Sequence, residues 1–205
     1  MTDRHDSREI LVVPANQASW DDIRAVFGSR GSAATCWCQR YKLAPREAFR
    51  SFPAEVRAER LRTQTSPGDP DAEATTGLVA YRDGEPVGWC AVEPRPAYDA
   101  LLRVYRTPWE GRHEDRTDES VWSVTCVFVR AGHRRRGIAY ELARAAVDHA
   151  RERGARALEA YPMLKSAGEI SWDEIHVGAE SIFAAAGLRE VSRPGKRRVV
   201  MRIDF

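Results

Sequence analysis

Residues Val121–Arg153 read VWSVTCVFVRAGHRRRGIAYELARAAVDHARER. Val124–Val129 is apolar and β-branched, the pattern of a strand, and from Ile138 onward Ile138, Leu142, Ala145, Ala146 and Ala150 recur at helical spacing. Between them lies Arg134-Arg135-Arg136-Gly137-Ile138-Ala139. Gly137 and Ala139 carry little side chain, so the backbone N–H groups that open the helix can approach a ligand closely. Those groups have no intrahelical partner and stand at the positive end of the helix dipole. Three guanidiniums at that end work against the helix unless an anion joins them, so the expected ligand is a multiply charged phosphate compound. The bland alternative is a basic surface turn capping an ordinary βα unit.

Working outward, Glu9–Val13 reads as a first strand and Ser19–Phe27 as a helix with Trp20, Ile23, Val26 and Phe27 on one stripe. Gly28–Leu43 is rich in turn formers. Pro45–Thr63 reads as a helix that Pro53 should break or divide, and Ser66–Thr76 as a polar loop. Gly77–Tyr81 and Pro86–Val92 flank Asp83-Gly84, a strong hairpin signal. A short helix over Ala97–Val104 and a charged loop over Tyr105–Glu119 lead into the quoted stretch. Beyond it come a short strand Ala157–Tyr161, a loop Pro162–Glu174, a helix Val177–Ala186 stopped by Gly187, and a hairpin of Leu188–Ser192 with Arg198–Ile203 around Pro194-Gly195.

Arg134-x-x-Gly137-x-Ala139, set between a strand and a helix, resembles motif A of the GNAT superfamily of acyl-CoA-dependent N-acetyltransferases, and the order of elements is similar to that family's. Gly178–Leu188 resembles its motif B through Ala179, Ile182, Gly187 and Leu188. The resemblance implies an α/β (α+β) fold: a central, mixed, mostly antiparallel twisted sheet of about seven strands flanked by helices. It implies one domain over 1–205, with 1–8 as a disordered N-terminus. Acetyl-CoA is the implied cofactor, its pyrophosphate held by Arg134, Arg135, Arg136, Gly137, Ile138, Ala139 and Tyr140, and its pantetheine arm paired to the backbone of Val127, Phe128 and Val129. His176 stands where the family usually has Asn. Phe183 replaces a common Tyr that protonates the leaving thiolate, so another group or water serves, or the thiolate leaves as such. Phe183 is expected beside the cofactor, and His176 either caps the last helix or stacks near the cofactor.

Acetyl transfer to an amine needs a neutral nucleophile, a polarised carbonyl and a path for the proton. The resemblance places the polarising backbone N–H near Cys126–Phe128 and implies direct attack in a ternary complex, with Cys126 as a core residue. For the base, Glu93 closes a strand and Glu119 opens another, so both can face the cleft; Glu159 is weighed as a surface or salt-bridging residue. Trp37, Gln39, Arg40, Tyr41 and Tyr161 are the candidates for the acceptor wall. Cys36-Trp37-Cys38 lacks the partner set of a zinc site, so no metal is expected. The expected acceptor is a primary amine on a small molecule, with a peptide or protein amine, or a non-catalytic CoA-binding sensor, as the alternatives. A closed pocket with acidic groups would favour a cationic small molecule and an open groove a peptide; Glu110, Glu114, Asp115, Asp118 and Glu119 offer modest acidic steering.

The bulk numbers are consistent with this. At 43% hydrophobic and 30% charged residues the composition is that of an ordinary soluble globular protein, and a net charge of +2 argues against a nucleic-acid partner. The beginning MTDRHDSREI has no apolar leader pattern and no stretch suits a bilayer, so no membrane partner and a cytoplasmic location are expected. Four irregularly spaced cysteines suit reduced thiols. A terminal strand Arg198–Asp204, if exposed, can pair with a second copy to make a homodimer.

Overall fold

The computed structural model describes residues 9–164 and 175–205. The expected disordered stretch 1–8 and most of the expected loop Pro162–Glu174 lie outside them. Seven strands form one sheet: β1 (Ile10–Pro14), β2 (Leu78–Arg82), β3 (Glu85–Pro94), β4 (Val121–Val129), β5 (Ala157–Ala160), β6 (Arg189–Ser192) and β7 (Val200–Asp204), in the spatial order β1-β2-β3-β4-β5-β7-β6. Only β4 and β5 run parallel; every other neighbouring pair is antiparallel. This is the mixed, mostly antiparallel sheet that the sequence leads one to expect.

Period-two alternation sends side chains to two faces. On one, helix α5 (Ile138–Glu152) buries Ile138, Leu142, Ala146 and Ala150 against Leu78, Cys90, Val92 and Val127. Each large aliphatic side chain so removed from water contributes about 1.5–3 kcal/mol. Close approach depends on Gly88, where a Cβ would stand 3.0 Å from Leu142 Cδ1 and 3.1 Å from Ile138 Cγ2. On the other face, α1 (Trp20–Phe27) is capped by the Ser19 hydroxyl, which accepts the Asp22 N–H at 3.0 Å. Phe27 stacks on Trp37 at 4.7 Å and meets Trp89 and Phe128 at 5.4 and 5.1 Å, joining helix to sheet.

Several boundaries differ from the sequence reading. Gly28–Leu43 is not all turn: Gly31–Cys36 forms a helix, α2, whose end is set by Trp37 and Cys38 in left-handed conformation. Helix α3 begins only at Ala54 and runs to Thr65, because Pro53 occupies its cap; Phe49–Ser51 is a single 3-10 turn. The expected helix over Ala97–Val104 is a 3-10 turn at Arg95–Ala97 and α4 (Asp99–Arg103). Gly178, with φ at +82°, separates a 3-10 turn at Ile175–Val177 from α6 (Glu180–Ala185), so no continuous helix starts at Val177. β7 is interior, paired with β5 and β6, and cannot be the strand that recruits a second copy; the sheet edges are β1 and β6.

Candidate active site

The centre of the sheet is where two strands part. Val121–Val124 of β4 pair with Ala157–Ala160 of β5, and there the pairing ends. β4 runs on to Val129 beside β3, whereas Pro162–Leu164 turn toward β7: the Val199 N–H bonds Pro162 O and the Leu164 N–H bonds Arg197 O. Ala91 pairs with Cys126 and Val92 with Val124, so Thr125 is an extra residue in β4, a bulge at the parting. The Arg130 N–H bonds Val87 O at 2.9 Å. In an antiparallel ladder hydrogen-bonded pairs alternate, so Phe128 and Cys126 also face β3, while the peptide groups of Val127 and Val129 face the gap. The sequence reading took Val127, Phe128 and Val129 together; alternation separates them.

At the far end of that gap stands the basic turn. Arg130 ties it down through Glu85 and Pro86 O, both at 2.8 Å, and Arg134 Nε reaches Val129 O at 3.3 Å. Gly137 caps α5 with φ at +82° and no side-chain cap; its carbonyl takes the Tyr140 N–H at 2.9 Å, so among the first-turn amides those of Ile138 and Ala139 have no intrahelical partner and Tyr140's is engaged. Nothing lies within 4 Å of where a Cβ on Gly137 would project. Arg134, Arg135 and Arg136 are exposed, as are Gly137 and Tyr140, whereas the Ile138 side chain is in the core and offers only its backbone. Exposed guanidiniums and uncapped helix N–H groups thus stand at the end of a strand edge that no described strand covers, a donor set of the kind that a diphosphate would fit.

On the opposite face, beside the bulge, lies a buried polar cluster. Glu93 forms an ion pair with Lys42, whose ammonium stands 5.3 Å from the Tyr98 ring centre. Burial pushes the Tyr98 hydroxyl well above its usual pKa, Glu93 adds to this, and Thr125 partly offsets it. Burial likewise raises the Cys38 thiol, reinforced by Cys126 next to it; the Trp89 indole N–H donates to Cys38 Sγ at 3.1 Å. Glu93 therefore sits at the parting with a cation, a phenol and a backbone edge nearby. Glu119 does not: it is exposed in the turn before β4, six residues and about 20 Å along the strand from Thr125.

The remaining candidates divide. Trp37 and Gln39 point inward, the latter donating to Gln64 Oε1 at 2.8 Å and Trp37 O at 3.2 Å. Arg40 is exposed with its guanidinium 5.4 Å from the Phe49 ring centre. Tyr41 is buried but accepts from Arg198 Nη1 at 3.4 Å and stacks near Tyr105 at 4.6 Å and His176 at 6.1 Å. Phe183 is fully buried in the core. Tyr161 donates to Glu159 Oε2 at 3.0 Å and lies 2.9 Å from Ser123 Oγ. Glu159 is itself enclosed by Arg95, Arg112 and Arg202. Burial would raise its pKa, but the Arg112 hydrogen bond and the neighbouring guanidiniums outweigh that and hold it below the usual range. Lys42 and Tyr98 escaped the sequence reading. Lys42 follows the tested wall residues directly, but nothing in its spacing announces a partner 51 positions away.

The chain matches the model of the acetyltransferase (GNAT) family over residues 38–168. No curated protein matches it. Among solved structures it is similar to a ribosomal-protein-alanine N-acetyltransferase from Brucella melitensis, at 19% identity and a TM-score of 0.53, covering 95% of this chain and 99% of that one. A GCN5-related N-acetyltransferase from Kribbella flavida gives 19% and 0.52 over 96% and 98% of the two chains. An N-acetyltransferase from Staphylococcus aureus Mu50 gives 13% and 0.50 over 96% and 98%. At such identities these likenesses speak to the fold.

Proposed function

This chain belongs to the acetyltransferase (GNAT) family, and from that premise we propose that it transfers an acetyl group from acetyl-CoA to a primary amine of a small molecule by direct attack. The family are acyltransferases and generally use acetyl-CoA. The observation that carries the reading is the parting of β4 and β5 after Val124, in the same strand that leads through the basic turn into the glycine-led start of α5.

In this reading Arg134, Arg135 and Arg136, with the amides of Gly137, Ile138 and Ala139, hold the cofactor's diphosphate; the Tyr140 N–H is taken by Gly137 O at 2.9 Å. The gap-facing peptide groups of Val127 and Val129 hold its amide arm, and the Val127 N–H polarises the carbonyl under attack. Acetyl-CoA supplies the activated acyl group. Glu93 takes the ammonium proton of the acceptor, directly or through a water, with Lys42 fixing the carboxylate; the second proton, released by nitrogen as the amide forms, passes to water or to the departed thiolate. Phe183 has no proton to give, and a thiol with pKa near ~8.5 leaves readily as thiolate. Cys126 stays a packing residue beside Cys38.

Calorimetry with coenzyme A and thiol release with an amine panel test this. Wild type should bind the cofactor, and Gly137→Glu should weaken binding at least about 100-fold, roughly 2.7 kcal/mol, while the fold is retained with a thermal midpoint lowered by the strain of a side chain at φ +82°. Equal affinity of the two proteins would remove the diphosphate site. Binding without thiol release from any amine would leave a cofactor sensor.

A further inference from the structure

Lysine is scarce in this chain: all but three of its 32 basic residues are arginine. Lys196 is exposed and Lys165 lies outside the described residues, whereas the Lys42 side chain is only 7% exposed and is paired with Glu93. An arginine would make the same ion pair and could never give up its proton. A lysine can, and a neutral lysine is a nucleophile.

The backbone directs this amine inward. The Lys42 N–H bonds Gln39 O at 3.1 Å, and the carbonyls on either side are held from α4: the Ala100 N–H donates to Tyr41 O at 2.9 Å and Arg103 Nη2 donates to Leu43 O at 2.8 Å. The ammonium meets Glu93, stands 5.3 Å from the Tyr98 ring centre and is near enough to Cys38 for its charge to act on that thiol. Tyr98 in turn meets Thr125 and Cys38 meets Cys126, the residues at the bulge of β4. Lys42 is therefore one side chain removed from the strand edge that carries the Val127 peptide group. Glu93, Cys38 and Cys126 retain 8–9% exposure, whereas Trp89 and Tyr98 beside them retain none, so solvent reaches this spot.

Resting on the function proposed above, we infer that Lys42 is itself an acetylation site: with acetyl-CoA bound and no external amine in place, the chain acetylates Lys42 Nζ. The ammonium gives one proton to Glu93, and the freed nitrogen attacks the thioester carbonyl. The N–C bond forms as the C–S bond breaks, coenzyme A leaves as thiolate, and the second proton passes to that thiolate or to water. The product is a neutral amide, which removes the cation beside Glu93. A buried carboxylate without its cation holds a proton, so the modified chain keeps its cofactor site and loses its base. The modification is a brake that engages when the acceptor is scarce.

The test incubates the full chain with saturating acetyl-CoA and no amine, and follows acetylation of each lysine by peptide mass mapping. Lys42 should be labelled at least about tenfold faster than exposed Lys196, the reverse of the order set by exposure, because an amine held beside the thioester reacts as an intramolecular one. Gly137→Glu should abolish that advantage, and an amine that the enzyme accepts should slow the labelling. Preincubation with acetyl-CoA should progressively lower the rate of wild type toward an external amine, whereas the rate of Lys42→Arg, whatever its starting value, should not decay. Lys42 labelled no faster than Lys196, or equally fast in Gly137→Glu, would overturn the inference, and turnover of an external amine in the same sample would leave the transfer reading standing. No binding of coenzyme A, with neither Lys42 nor any amine acetylated, removes both. Labelling of Lys42 that depends on Gly137 while no external amine is accepted upholds the inference and removes the small-molecule acceptor.

Discussion

The two halves of β4 are made of similar residues, Val-Trp-Ser-Val before the bulge and Cys-Val-Phe-Val after it, yet they have opposite fates. Val121–Val124 are paired on both edges and stand over Glu159, whose carboxylate is shared by Arg95, Arg112, Arg202 and Tyr161. Cys126–Val129 keep β3 on one edge and, among the described residues, have no strand on the other. Side chains do not make this difference; the neighbouring strand does. One half spends its backbone hydrogen bonds on stability, and the other keeps them available for a ligand.

Breaking the first half should cost the most. Glu159→Ala leaves three guanidiniums buried without their shared partner, and chemical unfolding should show a loss of about 3–5 kcal/mol. A change under about 1 kcal/mol would mean that the cluster is not a stabilising feature of this half. Next comes acid. Burial, helped by Arg153, lowers the pKa of His149 from 6.5 to about 4, and its ring meets Trp122 of the same half edge-on at 5.7 Å. Between those values the unfolded chain binds a proton that the folded chain refuses. Stability is therefore whole above about pH 6.5 and falls as pH drops toward 4, by roughly 3 kcal/mol. His149→Leu should flatten that slope; an unaltered slope would assign it elsewhere. The Glu159 carboxylate, with its pKa held below the usual range, adds a further loss that sets in as pH falls below about 4.5 and continues to lower pH.

The second half should respond in rate more than in stability. Glu93→Gln should lower kcat about 100-fold, with the KM for acetyl-CoA near its original value. A rate within a few-fold of wild type would shift the proton to another acceptor. The smallest effect belongs to Cys126→Ala: direct attack predicts kcat within about threefold, and an abolished rate would instead require an acyl-cysteine.

Much of this could be read along the chain. The strand, the glycine-led turn and the helix from Val121 to Arg153 are local, each set by periodicity or by a single residue's conformational freedom, and they stand as expected. Weaker local signals were lost where nearest neighbours conflict: six residues from Gly31 form a helix despite turn-prone surroundings, and Gly178 cuts a helix that apolar spacing alone would start earlier. Glu93 was legible as a carboxylate at a strand end, but its ion pair with Lys42 was not. Glu119 satisfied the same rule at the wrong end of its strand.

By itself, then, the sequence determined most of the elements, their order and the glycine-led turn before α5, because helix starts, turns and alternation depend on residues a few positions apart. Tertiary structure alone decided that β5 leaves β4 after Val124, that β7 is interior, and that Lys42, Tyr98 and Thr125 meet beside Glu93. Those features rest on strand register and on contacts between segments tens of residues apart, for which a single chain carries no local energetic signal.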